Sequence, residues 1–233
     1  MEQLFRYFLA VICSIFIVGA ATEVSAQDQQ KIRELYERMS NNQKSLTSLK
    51  ARVRMLSVNP QIDDKTEKDG TVIYLPGRGR SANARIDWEK PETETLSVVN
   101  GEYKLYRPRL ATMYVGKTKE AQKENDKVGG SLAFINMSGQ QLKQNFSASW
   151  LEPELIANNS ISAYHLKLTP KTAQRYNFAE IWVTEDGMPV QFKVVEKNGD
   201  TTTVLLYNIQ KNAKVNKNDV AFNPPKNTKV IKS

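Results

Sequence analysis

The sequence predicts a mainly β fold: a meander of about ten or eleven short antiparallel strands, with an N-terminal helix and a short apolar helical insert. Three observations predict it. Apolar and polar residues alternate with period two in segments scattered from Leu49 to Ile209. Turn signals separate those segments about every 8–14 residues. A helical period is confined to the start of the chain and to one later stretch.

Residues 28–47 are predicted as an amphipathic helix, because Ile32, Leu35, Met39 and Leu46 fall near one face and no Gly or Pro interrupts. At Leu49 to Met55 the period changes to two, with Lys50, Arg52 and Arg54 between the apolar positions. Further strands are predicted at Gly70 to Leu75, Ala84 to Trp88, Thr95 to Val99, Tyr103 to Tyr106 and Ala111 to Val115. Asn100-Gly101 is a two-residue hairpin signal between two of them. Gly116 to Gln144 lacks the strand pattern. Its polar stretch Lys117 to Lys127 reads as a loop, and Leu132, Phe134, Ile135 and Met137 form an apolar insert between Gly129-Gly130 and Gly139. Gln140 to Gln144 reads as one more helical turn. Strands resume at Phe146 to Leu151, Ala163 to Leu168, Phe178 to Thr184, Val190 to Glu196 and Thr202 to Ile209.

Alternation against charged neighbours also assigns an inward face: Val53, Met55, Val72, Tyr74, Ile86, Trp88, Val98, Leu105, Leu166, Leu168, Ile181, Val183, Phe192, Val194 and Leu206. Helices must bury their apolar stripes, and the concave side of such a sheet is the large surface on offer. A curved sheet capped this way encloses either a packed core or an apolar cavity, and both stay open at this point.

Residues 1–26 read as an export signal. An apolar run from Tyr7 to Ala21 follows Arg6, and the small-x-small site Val24-Ser25-Ala26 precedes the polar Gln27. The run is shorter than the roughly 20 residues a membrane span needs. Cleavage after Ala26 would leave residues 27–233 as one exported domain, free of Cys because Cys13 lies in the run. Lipidation at Cys13 is not expected, since bulky Ile12 precedes it.

The chain has one Cys and one His. Those counts exclude an intrachain disulfide framework and a zinc site built from Cys and His. His165 shares its strand face with Lys167 and reads as an exposed bystander; no Gly-x-Ser-x-Gly elbow or phosphate loop accompanies it. No enzyme activity and no cofactor are expected. The net charge of +8 is spread along the chain without an aromatic-interleaved basic motif, which argues for anionic lipid or acidic partners and against nucleic acid.

Five segments in order resemble a known family. They are Gly70-Thr71-Val72-Ile73-Tyr74-Leu75-Pro76, Arg85 to Pro91, and the hairpin Ser97 to Gly101 with Leu105-Tyr106-Arg107-Pro108. Leu166-Lys167-Leu168-Thr169-Pro170-Lys171 and Phe222-Asn223-Pro224-Pro225 complete the set. Together they resemble the LolA-type periplasmic carriers of outer-membrane lipoproteins, over about residues 30–231. The resemblance implies an unclosed antiparallel half-barrel with a helical lid over an apolar cavity. It makes the inward face the acyl-chain cavity and Leu132, Phe134, Ile135 and Met137 the lid. It implies a monomeric periplasmic carrier that takes lipoprotein cargo from an inner-membrane release complex to an outer-membrane acceptor, without covalent chemistry. The family often locks its lid with an arginine before the proline that ends the glycine-led strand. Leu75 holds that place here, and Arg78 and Arg80, in a longer loop, are the candidate locks. The alternative is a lipid- or peptide-binding sensor or regulatory module on the same half-barrel.

Overall fold

The computed structural model describes residues 26–76, 82–118 and 137–232. It opens with helix α1 (Ala26–Ser45), which buries Ile32, Leu35 and Met39 along one stripe. Asp28 in its first turn and Lys44 in its last complement the helix dipole. Strands β1 (Leu49–Asn59), β2 (Asp64–Pro76), β3 (Ala82–Lys90), β4 (Glu94–Val99), β5 (Glu102–Arg107) and β6 (Thr112–Lys117) follow as a meander. Asn100 and Gly101, with φ of 54° and 81°, adopt the left-handed conformation that a two-residue hairpin between β4 and β5 demands. A short 3-10 turn, Pro108–Leu110, separates β5 from β6.

The second half begins at helix α2 (Gly139–Asn145). Ser138 caps it by accepting from the Gln141 amide while the Gln141 side chain accepts from the Ser138 amide. Strands β7 (Phe146–Ile156), β8 (Ile161–Pro170), β9 (Tyr176–Val183), β10 (Pro189–Glu196) and β11 (Thr201–Lys211) form a second meander. Helix α3 (Lys217–Val220) and strand β12 (Lys229–Lys232) close the described chain. The twelve described strands make one sheet in the order β12-β6-β5-β4-β3-β2-β1-β11-β10-β9-β8-β7. The ends, β12 and β7, do not pair with each other, so the half-barrel is unclosed.

Two features depart from the sequence-based expectation. The strand count is twelve among the described residues, because Lys229–Lys232 is too short to show a period. That strand runs parallel to β6, not antiparallel, because the chain returns to the sheet by a long excursion through α3 rather than by a hairpin. The excursion covers the outer face. Val220 is fully buried, its carbonyl accepts from the Ser97 hydroxyl at 2.7 Å, and Phe222 packs on Tyr106 with ring centres 5.3 Å apart.

The main core lies on the other face, where α1, α2 and the sheet meet. Tyr36 stands at the junction of the two helices, since its backbone lies against Gly139. Its buried hydroxyl has no hydrogen-bond partner among the described residues. Burial pushes its pKa up to about 12. The neutral phenol is therefore favoured in the fold: its contribution is complete below the ordinary pKa of 10.0 and is lost as pH rises from there through 12. Tyr36→Phe should match or exceed the native melting temperature at neutral pH, because it removes an unpaired hydroxyl. It should also lose less stability than the native chain above pH 10.0. Melting curves of both proteins across that range check this; a clearly less stable Phe variant at neutral pH would show that the hydroxyl has a partner.

Candidate functional site

The inward face assembles as one surface through strand register. Val53 stands opposite Leu206, Ile86 opposite Val72 and Leu96, and Ile181 opposite Leu166 and Phe192. Val53, Met55, Val72, Tyr74, Ile86, Trp88, Leu166, Leu168, Ile181, Val183, Phe192 and Leu206 are each no more than 6% exposed. These positions belong to the core cluster that also holds Leu35 and Met39 of α1. Val98, Leu105 and Val194 are half-buried and pack against that cluster. Over β4, β5 and β6 the same face is less covered: Tyr103 and Tyr114 join Val98 and Leu105 as half-buried groups. At the rim of this half Glu94 accepts from Lys68 at 2.6 Å and from Arg107 at 2.9 Å.

Of the proposed lid, Met137 is half-buried and packs against the core cluster. Leu132, Phe134 and Ile135 lie outside the described residues, as do the candidate locks Arg78 and Arg80 and the leader up to Ser25.

A cavity of about 610 Å³ opens at the other end of the concave face, among β7, β8, β10, β11 and the β9–β10 turn. That volume lies within the range of small-molecule sites, roughly 300–1,000 Å³. Tyr164, Met188, Val190 and Ile209 give it apolar walls, and Ser160, Ser162, Thr184, Asp186 and Lys211 a polar rim. Helix α1 ties into that rim. Arg38 donates to the Tyr164 hydroxyl and to the Glu185 carbonyl, both at 3.4 Å. Lys211 donates to Asn42 at 3.1 Å and pairs with Asp186. Burial alone would raise the Asp186 carboxyl, but hydrogen bonds from Lys211 and Thr184 and from the Met188 amide hold it below the ordinary carboxylate range.

None of the cavity residues belongs to the fifteen assigned from the sequence. Val190 and Tyr164 share the phase of Phe192 and Leu166, so the same alternation extended by one step finds them. Ile209 and Lys211 are different. A register shift between Lys50 and Arg52, opposite β11, breaks the alternation before it reaches them.

His165 requires a correction. It lies on the opposite face of β8, as its phase demands, yet it is 6% exposed and not a solvent-facing bystander. Trp182 stacks on its ring at 4.1 Å, and Glu154, after a bulge in β7, lies 2.9 Å from its Nδ1 and accepts from the Trp182 Nε1 at 3.0 Å. Glu180 lies 3.5 Å from Nε2. Among the described residues no group of three His, Cys, Asp or Glu side chains is arranged to hold a metal.

The outer face of β1, β2 and β11 carries a second polar cluster. Asp69 accepts from Tyr207 at 2.7 Å and pairs with Arg52 and Arg54. Burial pushes the Asp69 carboxyl up, but Tyr207 and the two guanidiniums outweigh it and hold the pKa below the usual range. A depressed carboxylate contributes stability at neutral pH that is lost as pH falls through its folded pKa. Asp69→Asn should therefore lower the melting temperature at neutral pH and narrow the gap to the native chain in acid. A constant gap from neutral pH to about pH 2 would remove the carboxylate as the cause.

The comparisons with known proteins follow the same architecture. The family model described as "Outer membrane lipoprotein carrier protein LolA" matches residues 79–223. No curated protein matches the chain in sequence. Among solved structures, an uncharacterized conserved protein from Thermus thermophilus is 14% identical, with a TM-score of 0.55 over 88% of this chain and 100% of that one. MucB is 11% identical, with a TM-score of 0.54 over 83% of this chain and 63% of that one. A LolA superfamily protein from Nitrosomonas europaea is 11% identical, with a TM-score of 0.42 over 82% of this chain and 97% of that one. The first two likenesses, with TM-scores above 0.5, speak to the fold; the family match spans more than half of the sequence, and the chain belongs to the LolA family of outer membrane lipoprotein carrier proteins.

Proposed function

We propose that this protein is a periplasmic carrier that shields the acyl chains of lipoproteins and hands them to an outer-membrane acceptor. The observation that carries the reading is the concave face: apolar throughout, packed under α1 in the middle, half-buried over β4 to β6, with a cavity of about 610 Å³ at its other end. Family membership supports it. Export fits the sequence, since the small-x-small site Val24-Ser25-Ala26 follows a short apolar run and precedes the polar Gln27.

Energetics set the mode of delivery. Each methylene moved out of water gains about 0.8 kcal/mol. Three acyl chains with on the order of 45 methylenes would gain roughly 35 kcal/mol, beyond the practical ceiling of about 20 kcal/mol for non-covalent binding. Opening the fold and ordering the chains consume the difference. Release into water is prohibitive, so cargo has to arrive from an inner-membrane release complex and leave for an outer-membrane site by direct contact.

Native mass spectrometry of protein recovered from the periplasm tests the reading. A co-purified lipoprotein or its acylated N-terminus supports it. A bound unacylated peptide would overturn it in favour of the sensor alternative, and a protein without apolar cargo would overturn both. N-terminal sequencing of the same sample should begin at Gln27.

A further inference from the structure

The corner where β12 joins β6 carries a feature that the concave face does not explain. The Lys229 amide donates to the Ala111 carbonyl at 2.8 Å, which seats β12 beside the Pro108–Leu110 turn. Two large apolar side chains stand in solvent here, Leu110 at 56% and Val230 at 50% exposed. Arg109, Lys226, Lys229 and Lys232, all exposed, belong to the same two segments. Arg109 pairs with Glu92 at 2.5 Å, and no ion pair among the described residues holds the three lysines.

Single exposed apolar residues are ordinary on a protein surface. Lysines on a short edge strand also have an ordinary role, since they deter edge-to-edge pairing. Neither accounts for Leu110 and Val230 lying exposed on two adjoining segments that also carry four exposed cations. That combination suits an anionic bilayer: apolar side chains enter the headgroup layer while cations meet the phosphates. The net charge of +8 favours the same approach from a distance.

We propose that this corner docks the protein on an anionic lipid surface, with Leu110 and Val230 inserted and Arg109, Lys226, Lys229 and Lys232 paired to lipid phosphates. The inference goes beyond the carrier reading and holds or fails independently of it.

Cosedimentation with lipid vesicles tests it. Exported protein, its N-terminus sequenced to lie past the Tyr7–Ala21 run, is mixed with vesicles of phosphatidylcholine alone or with an equal part of phosphatidylglycerol. Binding is expected to the anionic vesicles, not to the neutral ones, and should weaken as salt rises. Each cation near the surface is worth about fivefold, so K226Q/K229Q/K232Q should bind about a hundredfold more weakly. L110Q/V230Q, which leaves the charge unchanged, should lose about tenfold. All substituted residues are exposed, and circular dichroism confirms that the variants fold. Equal binding to both vesicle types would overturn the proposal. So would two variants that bind like the native protein, which would leave the lysines as edge guards. A native protein that dimerises through this corner and ignores lipid would overturn it too.

Discussion

Gly139→Val should lower the stability of the fold by about 3 kcal/mol or more, at the upper end of what overpacking costs. Gly139 opens α2 where that helix crosses α1. A Cβ built there would lie 2.1 Å from the Tyr36 carbonyl oxygen and 2.5 Å from its Cα. Both obstacles are backbone, so no side chain can rotate away; one helix must move. Moving α2 disturbs Leu142, which is fully buried, and Phe146, where β7 starts. For a chain of this size the loss corresponds to a drop of about 10 °C in melting temperature. Thermal unfolding of Gly139→Val beside a conservative Gln140→Ala control measures it. A variant that melts with the native chain would show that the two helices are not in contact.

Ser162→Trp should abolish most cargo binding and leave the fold alone. Ser162 is exposed on the cavity wall, so an indole there takes space from the ligand rather than from the core. The neighbouring walls, Tyr164, Met188 and Val190, keep their own packing. A fluorescent fatty-acyl probe should bind at least tenfold more weakly, about 1.4 kcal/mol, with a melting temperature within roughly 2 °C of the native value. Unchanged binding would move the cargo to the half-exposed surface over β4 to β6, where Leu105 and Tyr114 line the sheet.

The sequence and the structure agree best where a strand has one dry and one wet face. In β1 the burial alternates along Leu49, Ala51, Val53 and Met55, with Lys50, Arg52 and Arg54 between them, so composition and geometry report the same fact. Agreement fails where burial comes from elsewhere in the chain. His165 reads as wet because its own strand says so, and it is dry because Glu154 and Trp182 come from neighbouring strands to cover it. Lys229–Lys232 has no period to read in four residues. Asn216 caps α3 through the amides of Asn218 and Asp219, a signal visible in Asn216-Lys217-Asn218-Asp219 once a helix of one turn is allowed for. The strand walls Tyr164 and Val190 lie one step beyond the alternation assigned from the sequence, and the rest of the cavity escapes because turns and a register shift build it, and neither carries a hydrophobic period.

The strand order has a consequence for how the protein comes to exist at all. Every antiparallel neighbour in the sheet is also a neighbour in the chain, except β1 and β11. There Val53 faces Leu206 across roughly 150 residues of intervening chain. The hairpins of β1 to β6, and those of β7 to β11, can each form on the microsecond scale from local contacts. Joining them means closing a long loop before any contact rewards it, so this step should govern the folding rate. Until it happens both β1 and β11 present bare strand edges, each able to pair with another unfinished molecule. The yield of folded protein at high concentration should then depend less on the strength of any hairpin than on how soon two distant strands find each other.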